Sequence, residues 1–91
     1  MRFEWDEAKR RSNLRRHGFD FVAIEEILSG ATVTYLDDHF DYGETRLITL
    51  GLFKHKVVAV THTETEEVIR VISIRKASKN EEETYFKEVK D

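Results

Sequence analysis

Residues 46–75, RLITLGLFKHKVVAVTHTETEEVIRVISIR, decide the architecture of this chain. Three runs rich in Val, Ile, Leu and Thr (46–53, 56–63 and 68–75) are separated only by Lys54-His55 and by residues 64–67. Runs of this composition read as β-strands. Connections that short join antiparallel neighbours, because a parallel return needs a crossover of a dozen residues or more. The centre of the fold is therefore a three-stranded meander.

Working outward, Phe3-Glu4-Trp5 alternates apolar and polar as a short strand does. Asp6 then reads as a helix N-cap, residues 8–17 as the helix, and Gly18 as its left-handed C-terminal stop. Asp20 opens a second helix whose Phe21, Ile24, Ile27 and Leu28 share one stripe before Gly30. Residues 32–36 alternate as a strand. Residues 37–43 (DDHFDYG) form a polar loop whose Asp/His content lacks the spacing of a calcium or zinc site, so no metal is expected there. Ser78 with Glu81 three residues on is a capping box, and Tyr85, Phe86 and Val89 give the last helix an apolar side. The order β-α-α-β-β-β-β-α describes one α+β domain over residues 1–91. Two N-terminal helices and a C-terminal helix pack on a mostly antiparallel sheet of four to five strands. The helices are expected on one sheet face, leaving the other partly free for a polar site.

The totals narrow the function. Ninety-one residues with 40% hydrophobic and 36% charged content suit one modest core; a chain this size buries roughly 60–65% of its unfolded surface. There is no cysteine, hence no disulfide and no thiolate chemistry, which fits a reducing cytoplasm. No apolar run reaches the roughly 18–20 residues that span a bilayer, and no signal-peptide segment follows Met1. The expectation is a cytoplasmic protein with no membrane partner. Fifteen basic against eighteen acidic residues argue mildly against a nucleic-acid binder. Residues 9–17 (KRRSNLRRH) nevertheless hold five cations and a histidine with no acid. Compensation of the helix dipole accounts for Arg15 and Arg16 as readily as RNA contact does.

Strand alternation puts Ile69, Val71, Ser73 and Arg75 on one face and Arg70, Ile72 and Ile74 on the other. The two arginines then point opposite ways unless a bulge intervenes. Arginine clamps phosphate well, being permanently charged with a fork of donors. Cleaving RNA without a metal needs a base for the 2′-hydroxyl, cations for the phosphorane and an acid for the leaving oxygen. Arg, Lys, Glu, His and Tyr can cover those roles. Structural ion pairs, Arg70 with Glu67 or Glu44, explain such arginines equally well.

The sequence resembles the BrnT family, the toxin half of type II toxin–antitoxin pairs, related in fold to RelE and ParE. Phe3-Glu4-Trp5-Asp6, Lys9, Asn13-Leu14 and Arg16-His17-Gly18 match the family's opening, with Phe21 following. Glu44-Thr45-Arg46 and Gly51 match its middle, residues 70–77 (RVISIRKA) its signature, and Glu81 and Tyr85 the residues after it. The resemblance implies a metal-independent endoribonuclease without a cofactor that inhibits translation. It implies neutralisation by a BrnA-like ribbon-helix-helix antitoxin, with DNA bound only through that partner. Carried over by position, Arg46, Arg70, Arg75, Lys76 and Glu44 are the catalytic candidates. Lys9, Arg16, His17, Ser73 and Tyr85 are the RNA-binding candidates, and Glu44, His17, Glu81 and Tyr85 are the candidates for proton transfer. Ser73 reads equally as a small sheet residue and Tyr85 equally as core. His62 reads as hydrogen-bonded and semi-buried, Trp5 as core. One departure stands out: Glu82-Glu83-Thr84 replace the basic residues usual between the matched Glu and Tyr. The alternative reading is a weakened toxin-fold module that pairs with an antitoxin to form a DNA-binding repressor complex.

Overall fold

The structure, a computed structural model, describes residues 1–38 and 43–89. Strand β1 (Arg2–Glu4) leads into helix α1 (Glu7–His17). A 3-10 turn (Phe21–Ala23) runs directly into α2 (Ile24–Ser29). Strands β2 (Val33–Leu36), β3 (Leu47–Phe53), β4 (Lys56–Glu64) and β5 (Val68–Lys76) follow, and α3 (Lys79–Glu88) closes the chain. The sheet order is β1-β5-β4-β3-β2, antiparallel except for the β1–β5 pair. The α+β class agrees with the sequence; the helical elements differ somewhat, a 3-10 turn preceding α2, and the sheet is mixed with five strands.

Local chemistry sets the boundaries. Asp6 accepts from the Lys9 amide at 3.1 Å, and Gly18 at φ +79° returns its N–H to the Leu14 carbonyl at 2.9 Å. Lys54 and His55 both take positive φ (50° and 69°), which matches the twist a two-residue hairpin needs between β3 and β4. Ser78 and Glu81 form the capping box at the start of α3.

The placement of the helices differs from expectation. Phe21, Ile24 and Ile27 pack with Val58, Val60, Val71 and Ile74 on one sheet face. On the opposite face, Tyr85 of α3 packs with Leu50, Val57 and Ala59. The sheet is covered on both sides, and Val57, Val58, Ala59 and Val60 are all buried. The reason is legible afterwards: an unbroken apolar run in a central strand needs cover on both faces. Phe86 does not join the apolar side of α3; it is 54% exposed, its ring edge-on to Tyr85 at 5.2 Å. Trp5 is part-buried against Phe21, edge-to-face at 6.1 Å.

Strand β1 covers the outer edge of β5 only as far as Arg70. Beyond it, α1 takes over through one side chain. The Asn13 amide accepts from the Ile74 N–H at 3.2 Å and donates to the Ile74 carbonyl at 2.9 Å, while also reaching the Phe19 carbonyl at 2.9 Å. Asn13 thus stands in for a missing strand and is itself buried. Gly51 of β3 passes beneath α2, where an added Cβ would sit 3.0 Å from Ile27 Cγ2 and 3.2 Å from its carbonyl oxygen.

Replacing Asn13 with Ala leaves the Ile74 N–H and C=O buried without partners. The expected cost is about 2–4 kcal/mol, read as a lower urea midpoint with an unchanged slope. Gly51→Ala is expected to cost about 1–3 kcal/mol by overpacking against α2.

Candidate functional site

In an antiparallel ladder, residues opposite one another share a face. The β4–β5 ladder pairs Ala59 with Arg75 and Thr61 with Ser73, then His62 with Val71 and Thr63 with Arg70. Ile72 has no partner, so β5 carries one residue more than β4 across that step. This bulge reverses the alternation. Val71 and Ile74 consequently share the α2 core despite an odd spacing. Arg70 and Arg75 both emerge on the α3 face.

Arg46, just ahead of β3, arrives at the same place. Its Nε donates to Glu44 Oε2 at 3.1 Å, and Arg70 donates from Nη2 to Glu44 Oε1 at 2.7 Å. One carboxylate therefore joins two guanidiniums, and those contacts hold the Glu44 pKa below its ordinary value, Arg70 contributing most. Arg75 meets Glu81 in a two-pronged pair, Nη1 to Oε1 at 2.8 Å and Nη2 to Oε2 at 3.0 Å. Glu81 also takes the Ser78 amide at 2.7 Å, and its pKa falls to about 2, with Arg75 the main cause. The Tyr35 hydroxyl donates to Glu81 Oε2 at 3.3 Å. Partial burial, reinforced by the Glu81 charge, raises its pKa, so it keeps its proton.

The face sets its cations among acids, with Asp37 near Arg75 and Tyr35 as well. Arg46, Arg70 and Arg75 are met by Glu44, Glu81 and Glu4, which lies opposite Arg70 in the β1–β5 ladder. It is also open: the Arg70, Arg75 and Glu44 side chains each remain 36% exposed.

The other candidates divide. Lys76 pairs with Val58 and so belongs to the α2 face, apart from the arginines. Tyr85 is buried, its hydroxyl donating to the Ala31 carbonyl at 2.9 Å, so RNA has no access to it in this fold. Lys9, Arg16 and His17 gather instead in a groove of about 140 Å³ between α1 and β5, which Ser12, Asn13, Ile72 and Ser73 complete. Ser73 is shared, lining that groove while lying between Arg70 and Arg75 along β5. His62 is 2% exposed, with Nε2 2.8 Å from Thr49 Oγ1; burial lowers its pKa, which leaves it neutral and structural. The loop read for metal ligands falls largely outside the described residues, and among those described no group of three or more His, Cys, Asp or Glu could hold an ion.

Residues 5–81 match the family described as ribonuclease toxin, BrnT, of type II toxin–antitoxin system. The chain belongs to the BrnT family. None of the curated proteins matches it. Family membership makes an antitoxin and RNA the expected counterparts, and no helix among the described residues is long and apolar enough to cross a membrane. Tyr35 and Asn13 are the residues whose roles the sequence reading missed. Asn13 carried a signal, lying inside a matched motif, but Tyr35 gains its neighbour only when α3 folds back over the sheet.

Glu81 is ionised in the folded chain while the unfolded chain, near its ordinary value of 4.5, is already taking up protons. Stability tied to it is complete above about pH 4.5 and is lost as pH falls toward about 2. Glu81→Gln is expected to cost about 1–2 kcal/mol at neutral pH and to flatten the acid limb of a pH–stability curve.

Proposed function

We propose that this BrnT-family chain is a metal-independent, RelE-like endoribonuclease whose reacting groups lie on the α3 face of the sheet. The observation that carries this reading is the bulge at Ile72, which brings Arg70 onto the same exposed face as Arg75, with Glu44 held between Arg70 and Arg46.

In the proposed reaction the scissile phosphate exchanges places with the Glu44 carboxylate on the guanidiniums. Removing those contacts lets the Glu44 pKa rise toward its ordinary range, so phosphate binding itself readies the base. Glu44 takes the 2′-hydroxyl proton as the 2′-oxygen bonds to phosphorus. Arg46, Arg70 and Arg75 hold the charge of the crowded phosphorane. The phosphorus–5′-oxygen bond breaks, and Tyr35, kept protonated by its surroundings, gives its proton to the leaving oxygen. The products are a 2′,3′-cyclic phosphate and a 5′-hydroxyl. Tyr35 and Glu44 then reset through solvent.

In cells this chemistry stops translation until a BrnA-like ribbon-helix-helix antitoxin covers the toxin, and DNA is met only through that partner. A second reading has one observation in its favour. Each of the three arginines already faces a carboxylate, as in a toxin-fold module that has kept pairing with an antitoxin and lost cleavage.

Purified protein in EDTA is expected to cut RNA and leave 2′,3′-cyclic phosphate ends. Arg70→Ala should lower kcat/KM about 10²–10³-fold, and Glu44→Gln by about 10²–10⁴-fold. Both variants should relieve growth arrest while keeping the fold by circular dichroism. Intact RNA and normal growth with the unaltered chain would leave the binding-module reading in its place.

A further inference from the structure

We propose that the groove between α1 and β5 is a phosphate subsite, which captures the RNA chain beside the scissile bond before the arginine face engages it. The proposal deepens the ribonuclease reading and rests on it for the identity of the chain that carries the phosphate.

Several cations of this protein are already occupied. On α1, Arg10 donates to both Glu7 oxygens and reaches Asp20 at 3.1 Å, and Arg11 lies 3.8 Å from Glu7. Arg46, Arg70 and Arg75 are each bound to a carboxylate. Lys9, Arg16 and His17, like Arg15, meet no acid and no side-chain hydrogen-bond partner among the described residues, and of these four only Lys9, Arg16 and His17 line the groove. Their positions at i, i+7 and i+8 place them on one helix stripe with Ser12, and the structure turns that stripe toward Ile72 and Ser73 of β5. No Asp or Glu lines the groove. Its cations are uncompensated, while the arginines of the α3 face stand among Glu4, Glu44, Glu81 and Asp37. An anionic chain approaching a protein of net charge −3 is therefore drawn to the groove first.

Geometry links the two places. Ser73 belongs to the groove and also lies on β5 between Arg70 and Arg75. In the proposal, a chain held at Lys9 and Arg16 crosses the bulged edge of β5 at Ser73 to meet the arginine face. The groove, about 140 Å³ and open to solvent, suits a phosphodiester passing along the surface rather than an enclosed nucleotide.

The test uses the full chain and 2′-O-methyl RNA of two, four and eight nucleotides, which binds without being cut, titrated by fluorescence anisotropy at several KCl concentrations. Affinity of the unaltered chain should rise with length. Lys9→Gln/Arg16→Gln should lose about tenfold for the octamer, with a salt slope shallower by about 1.4, two contacts at about 0.7 each on a single strand. Lys9→Arg/Arg16→Gln should bind the octamer at the level of Arg16→Gln alone. Arg11→Gln, which removes a charge from the same helix outside the groove, should stay within twofold. No octamer binding by the unaltered chain, or a double variant that matches Arg11→Gln, overturns the proposal. Loss of antitoxin binding with RNA affinity retained also overturns it and makes the groove a protein interface. Octamer capture through Lys9 and Arg16 in a chain that cuts no RNA upholds the groove and overturns the ribonuclease reading alone.

Discussion

One unpaired residue, Ile72, decides which face each charged side chain of β5 takes. A strand alternates its side chains, so residues five apart normally face opposite ways. Inserting one extra residue between the pairs Ser73–Thr61 and Val71–His62 restores them to the same side. Without it, one of Arg70 and Arg75 would be driven into the α2 core against Phe21 and Ile24, where an unpaired guanidinium is too costly to bury. The same step lets Val71 and Ile74 share that core. Packing on one face and charge on the other thus depend on a single irregularity, in keeping with the tendency of bulges to re-aim side chains beside functional sites.

Asn13 makes that irregularity tolerable. A bulged strand whose outer neighbour ends at Arg70 would expose unpaired backbone just past the kink. The Asn13 amide, with a donor and an acceptor spaced like those of a peptide group, closes the Ile74 position from the side. Because α1 docks through this polar clamp rather than through an apolar stripe, its remaining side chains stay free to be cationic. The basic helix and the bulged strand are consequently two parts of one arrangement.

The acidic surplus of the chain has a local meaning within this arrangement. Carboxylates sit directly on the arginines of the α3 face, and Glu81 doubles as the cap of α3. Such pairs pre-position guanidinium groups and keep three cations from repelling one another before substrate arrives. They also demand that a phosphate compete with a carboxylate for the same donors. Binding on that face, as proposed, would be an exchange, whereas the α1 groove would offer its cations outright.

Sequence by itself was enough for the α+β class, the meander, the capping signals at Asp6, Gly18, Asp20 and Ser78, and the resemblance that membership in the BrnT family bears out. These are local facts: hydrophobic period, turn chemistry and cap identity act over a few residues, and a family signature is a string. Tertiary structure alone decided that α3 crosses to the far face, that Tyr85 is core, that Lys76 stands apart from the arginines, and that Tyr35 meets Glu81 across 46 residues of chain. Each of these depends on register and on which face a distant element covers. A one-residue slip reverses every side chain that follows it. Alternation in a string of letters carries no mark of where the slip occurs.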